Sequence, residues 1–129
     1  MMRDLTGNAR LWLVLAALNG ALAVGLGAYG AHGLDDAPEY LARSFNTGVQ
    51  YHMWHALALV AVAWLASHTN GWLVRLAGIG FVAGIVLFCG TLYVFGTTGN
   101  LPLRGLAPAG GTSLMAAWGL LALAAWRSK

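Results

Sequence analysis

The sequence of 129 residues predicts an all-α polytopic membrane protein, an antiparallel bundle of four transmembrane helices with an amphipathic lead-in to the second. The first observation behind that expectation is that Leu11–Ala31 contains no charged side chain, a run about as long as the roughly 20 residues a helix needs to cross a bilayer. The second is composition: 59% of residues are hydrophobic and 9% charged, far below the roughly 25% charge of soluble domains. The third is that further apolar segments follow, separated by short polar stretches rich in Gly, Pro or Asn. A single membrane domain, residues 1–129, is expected, with spans near 11–31, 49–66, 72–95 and 106–126.

Arg3 and Arg10 precede the first run, the layout of a secretory signal, but its apolar stretch exceeds the roughly 7–15 residues of a signal core, so a retained span is expected. The segment HGLDDAPEY then holds three of the four acidic residues and must leave the hydrocarbon. Asp36, Pro38 and Glu39 resemble a helix start whose carboxylates meet free backbone N–H groups. Leu41, Phe45 and Val49 recur at i, i+4, i+8, with Glu39, Arg43, Asn46 and Gln50 elsewhere, so the start of this helix should be amphipathic and lie at the interface. Its membrane part is expected from Val49 to Ala66, and SHTNG supplies a turn. The third span, Trp72–Phe95, carries Arg75 one turn from its start, where the side chain can snorkel to the interface. After GTTGNLPLRG, Pro108 suits the first turn of a fourth helix reaching Trp126.

Arg3, Arg10, Arg75, Arg127 and Lys129 fall on one side of this arrangement and Arg43 and Arg104 on the other. The positive-inside rule then places both termini in the cytoplasm. Aromatic belts agree: Trp12, Trp64, Trp72 and Trp126 are expected near the inner interface, and Tyr29, Tyr40, Tyr51 and Tyr93 near the outer. The seven basic residues form no stripe, so no nucleic-acid partner is expected; the lipid bilayer is the partner. Cys89 stands alone, which excludes an internal disulfide, and no Cys/His spacing suits zinc.

Glycine inside a helix costs about 1 kcal/mol relative to alanine in water, so 18 glycines need a reason. Close helix packing supplies it. Ala17, Ala21 and Gly25 form one small-residue stripe, Ala23, Gly27 and Ala31 a second, and Gly80 and Gly84 a GxxxG pair. Packing within the chain is the preferred reading; a homo-oligomer or a larger membrane complex could use the same surfaces.

Polar groups converge near the outer ends of the helices. His32 closes the first span, Tyr51, His52 and His55 open the second, and Tyr93 enters from the third with Thr91 and Cys89. Such a cluster is either structural or a ligand site, with His32, His52 and His55 the candidate metal ligands, since neutral imidazoles bind Zn, Cu, Ni and haem iron. The identity of any cofactor stays open. Asn19, in mid-span, is expected to bond a neighbouring helix. HExxH, GxSxG and Walker patterns are missing and every acidic residue lies in a loop or tail. The preferred reading is therefore a non-catalytic bundle or accessory subunit. Binding of a cofactor, metal or lipid headgroup by the His/Tyr cluster is the alternative, and an oligomeric transporter the third.

The segments GAYGAHGL (27–34), FNTGVQYHMWHALAL (45–59), GIVLFCGTLYVF (84–95) and APAGG (107–111) follow one another in an order that resembles the YgdD-like family. That resemblance implies a small bacterial inner-membrane protein with four transmembrane helices and eukaryotic relatives, and no established activity. Ala31, His32 and Gly33 fit its AHG turn, Phe45, Tyr51 and His55 its F…Y…H pattern, Gly90 and Tyr93 its G-S-L-Y segment, and Pro108, Gly110 and Gly111 its P-x-G-G motif. Thr91, Ala107 and Ala117 depart from it. These positions share one leaflet in the expected topology. His32, Tyr51, His55 and Tyr93 are accordingly expected to form one hydrogen-bonded cap, with Gly110 and Gly111 admitting the fourth helix closely.

Overall fold

The computed structural model describes residues 5–128, so Arg3 and Lys129, used above for orientation, lie outside the described residues. Four helices are long and apolar enough to cross a membrane: Gly7–His32, Glu39–Ala66, Trp72–Thr98 and Leu106–Arg127. They run up and down, so one end of the bundle carries both termini and residues 67–71, and the other, the distal end, carries residues 33–38 and 99–105.

Local chemistry sets the helix ends. The Thr6 hydroxyl accepts the Ala9 N–H at 3.3 Å and starts the first helix. The second starts differently from expectation: no side chain caps it, and the Leu41 and Ala42 N–H groups donate to the Pro38 carbonyl at 3.0 and 3.1 Å. Asp36 lies two residues ahead of Pro38 and caps nothing, while Glu39 sits in the first turn, where a carboxylate favours the positive end of the helix. The amphipathic lead-in is continuous with the membrane segment in one helix of 28 residues, about 42 Å at about 1.5 Å per residue. Gly99 at φ +75° ends the third helix and Gly105 at φ +87° precedes the fourth, conformations glycine adopts without a Cβ penalty.

The second and third helices form the centre; the first packs on the second and the fourth on the third. Phe45, Leu59, Val62, Phe81 and Cys89 are fully buried between them. In lipid, helices gain little from hiding apolar surface, so association depends on close contact and interhelical hydrogen bonds. The first helix provides the contact through Ala16, Ala23, Gly27 and Gly30: a β-carbon on Gly27 would sit 3.2 Å from Val49 Cγ1, and one on Gly30 2.9 Å from the Phe45 ring. The stripe expected at Ala17, Ala21 and Gly25 is turned outward instead, and all three are exposed. Trp12, expected at the interface, is buried with its ring over Gly78. Gly80 and Gly84 face the fourth helix, against Ala117 and Leu114 respectively, and Gly110 faces the backbone of Leu87 and Phe88.

The third helix is not α-helical throughout. Residues Ile85–Cys89 form a π turn, with the Gly90 N–H shared between the Ile85 and Val86 carbonyls. Such a turn inserts a residue and disturbs the regular hydrogen-bond ladder. The buried Thr91 hydroxyl donates to the Leu87 carbonyl at 2.6 Å, inside the disturbed stretch. Thr91→Val should therefore destabilise the protein by about 0.5–1.5 kcal/mol, whereas Thr91→Ser, which keeps the hydroxyl, should match the parent more closely. Unfolding in detergent monitored by circular dichroism checks this; equal loss in both variants would assign the effect to packing rather than to the bond.

Candidate functional site

The polar side chains of the membrane region gather around the two histidines of the second helix, His52 and His55, both buried. They lie three residues apart, about 60° apart around the helix, so they address different neighbours.

His52 joins three helices. Asn19 Nδ2 donates to the Leu15 carbonyl at 2.8 Å, which turns Asn19 Oδ1 toward His52 Nε2 at 2.9 Å. An amide oxygen only accepts, so Nε2–H is the donor there and Nδ1 is left to accept. Tyr93 O–H fills that role at 2.7 Å. The result is a directed chain from the third helix through the second to the first: Tyr93 O–H to His52, His52 N–H to Asn19, Asn19 N–H to the backbone.

His55 is fixed by the same logic with opposite tautomer. The indole Nε1–H of Trp118 can only donate, and it meets His55 Nε2 at 3.1 Å. Nδ1–H therefore donates to the Tyr51 carbonyl at 2.5 Å. Aromatic contacts surround it: Trp118 packs edge-on against Phe81 with centroids 5.0 Å apart, and the Tyr51 ring lies 4.7 Å from Phe88 and nearly parallel to the His55 ring at 6.0 Å. No buried polar side-chain atom among the described residues lacks a hydrogen bond.

The site thus differs from the cap expected at the helix ends. His32 is exposed at the end of the first helix, and among the described residues no hydrogen bond links it to Tyr51, His52, His55 or Tyr93. The reason is helical phase: Gly30 faces the second helix, and two residues further on the side chain points about 200° away. Tyr51 takes part through its carbonyl and ring face rather than its hydroxyl in the described bonds. His52 stands midway along its helix, not at the mouth, because the second helix begins at Glu39 and its Phe45 already packs against Gly30. Thr91 and Cys89 are buried, with the Thr91 hydroxyl bonded to the Leu87 carbonyl of its own helix. Trp118 was absent from the expected cluster; a tryptophan in mid-helix, away from both interfaces where its N–H could meet water, is the signal that could have found it.

As metal ligands, His32, His52 and His55 do not converge. Among the described residues no three His, Cys, Asp or Glu side chains are grouped to hold a metal ion. Each buried imidazole already uses both ring nitrogens within the protein.

Fold and site together define a small helical integral membrane protein whose buried polar groups tie its helices to one another. The chain belongs to the DUF423 family: the description "Protein of unknown function (DUF423)" matches residues 26–111. It is 44% identical over 118 residues to the UPF0382 membrane protein YwdK of Bacillus subtilis, covering 90% of this chain and 96% of that one. A UPF0382 membrane protein of Haemophilus influenzae is 38% identical over 119 residues, covering 92% and 95%. A third, from Staphylococcus aureus, is 36% identical over 120 residues, covering 92% and 97%. No solved structure matches the chain significantly.

Proposed function

We propose that this protein is a non-catalytic bundle of the bacterial inner membrane, of the YgdD-like type, that acts through contacts with other membrane components. One observation carries the reading: both ring nitrogens of His52 and of His55 are committed to neighbouring groups of the chain. Histidines used in this way hold helices together and present no free lone pair to a metal or substrate. The acidic side chains support the same conclusion, since Asp35, Asp36 and Glu39 all lie at the distal end and, among the described residues, no carboxylate enters a helix interior.

An orientation with both termini in the cytoplasm is supported by Arg10, Arg75 and Arg127 at the terminal end, with exposed Trp64, Trp72 and Trp126 beside them. The test is the content of protein purified from membranes in mild detergent. The expected result is an optical spectrum without bands above the tryptophan region and metal far below one equivalent. A chromophore or stoichiometric metal that disappears in His52→Ala or His55→Ala would overturn the proposal.

A further inference from the structure

The outward face of the second helix carries a row of exposed polar side chains that continues past its interfacial start to Gln50. Glu39, Arg43, Asn46 and Gln50 recur at i, i+4, i+7, i+11 on the side opposite Gly48 and His52, and all four are exposed. Asn46 borders the first helix, its Oδ1 next to Gly30, while the shallow groove along Glu39, Arg43 and Gln50 is lined by residues of the second helix alone. Below Gln50 the same face continues as exposed Trp54, Leu57, Ala61 and Trp64. From Arg43 to Trp64 these positions average about 3.5 residues apart, the repeat of a left-handed helix pair.

Depth makes the arrangement informative. Val49 packs against Gly27, so Gln50 lies beside the charge-free run Leu11–Ala31, about 6 Å inside its end. An interfacial start to the helix accounts for Glu39 and Arg43, which reach the headgroups and form an exposed ion pair at 2.7 Å. It does not account for Gln50, which is exposed one residue beyond the Val49–Gly27 contact and makes no hydrogen bond to any described residue. Polar side chains within spans ordinarily face a partner helix, and Asn and Gln bond well across such contacts.

We propose that this face is the interface of a homodimer, two copies related by a two-fold axis along the membrane normal. Self-complementarity argues for a second copy over a different subunit. A glutamine amide both donates and accepts, so Gln50 can pair reciprocally with its own counterpart across the axis. Glu39 and Arg43, of opposite sign and one turn apart, can exchange their ion pair for two symmetric ones at the rim. The dimer builds on the reading of a protein that works through contacts, yet it is tested separately.

The experiment uses the full chain in native membranes, with the buried Cys89 replaced (Cys89→Ala) so that a single introduced cysteine reports proximity. Under mild oxidation, Gln50→Cys should give a disulfide-linked species of twice the mass in high yield, and Val24→Cys and Gly119→Cys, exposed on the first and fourth helices, should not. A second measurement avoids any folding defect of the cysteine variants: the parent should have the mass of two chains by light scattering in mild detergent. Gln50→Leu, which suits lipid at least as well, should weaken that association about threefold to tenfold. A monomeric parent, equal crosslinking at all three positions, or an adduct with a protein of another mass overturns the dimer. A bound cofactor would instead overturn the non-catalytic reading and leave the dimer standing.

Discussion

Gly110→Ala is expected to remove most of the folded protein, although it adds one methyl group. A β-carbon at this position would overlap the Phe88 backbone nitrogen and come within 2.9 Å of Leu87 Cβ. Side chains can rotate away from such a contact; a peptide nitrogen cannot. Overpacking costs about 1–3 kcal/mol where neighbours can yield and more where they cannot, so a loss above about 3 kcal/mol is expected here. The position also faces the π turn Ile85–Cys89, so any retreat of the fourth helix would loosen the contacts of Gly84 with Leu114 and Gly80 with Ala117. Neighbouring glycines give internal controls. Gly111 has its nearest contact at 3.8 Å and Gly119 has nothing within 4 Å, so alanine at either should be tolerated, with helix propensity slightly in its favour. Yield of monodisperse protein and unfolding in detergent check this series; equal behaviour of Gly110→Ala and Gly119→Ala would show that the third and fourth helices are not in such contact.

How much of this was legible beforehand depends on which physical signal each feature leaves in a sequence. Charge is a strong signal in a membrane, so the apolar runs and the polar stretches between them mark four helices. Rotation about a helix axis is a weak one when most candidates are small. Ala17, Ala21 and Gly25 make as good a stripe on paper as Ala16, Ala23 and Gly30, and only the match to Phe45 and Val49 on the second helix decides between them. The depth of the histidines leaves a weak mark in the sequence for a related reason. Beginning the membrane segment at Val49 put His52 near the surface, whereas the helix from Glu39 inserts the polar lead-in beside the first helix and carries His52 to mid-bundle. Helical phase alone turns His32 away from the second helix. The π turn leaves no compositional mark, since Ile85–Cys89 is as apolar as any α-helical segment.

Both buried histidines sit on a central helix, and each reaches a different set of neighbours. His52 engages the first and third helices, and His55 the fourth. Without a hydrophobic drive between helices in lipid, directional bonds and glycine-mediated approach do the work that an apolar core does in water. The two devices work at the same seams: hydrogen bonds tie the second helix to all its neighbours and Ser113 Oγ–H to the Gly80 carbonyl at 2.8 Å, while Gly27 and Gly30 let the first helix approach the second and Gly80, Gly84 and Gly110 let the third and fourth approach each other.

His52→Ala tests the first device and should be among the most damaging substitutions in the chain. It removes a ring that is 2% exposed and deprives both Asn19 and Tyr93 of their partner. The cavity resembles that of other large-to-small core changes, about 2–5 kcal/mol, while each lost interhelical bond adds about 0.6 kcal/mol on average. Tyr93→Phe removes only the hydroxyl and should cost about 0.6–1.7 kcal/mol. The two effects should not add. Once His52 is gone the Tyr93 hydroxyl has lost the imidazole it donates to, so Tyr93→Phe should cost markedly less in the His52→Ala background, a coupling of at least about 0.5 kcal/mol. His32→Ala, at an exposed helix end, should leave stability unchanged. Reversible unfolding of the four variants in mixed micelles measures the cycle. Strict additivity would mean that the Tyr93–His52 bond contributes nothing, leaving the Asn19–His52 and Trp118–His55 bonds to tie the second helix to its neighbours.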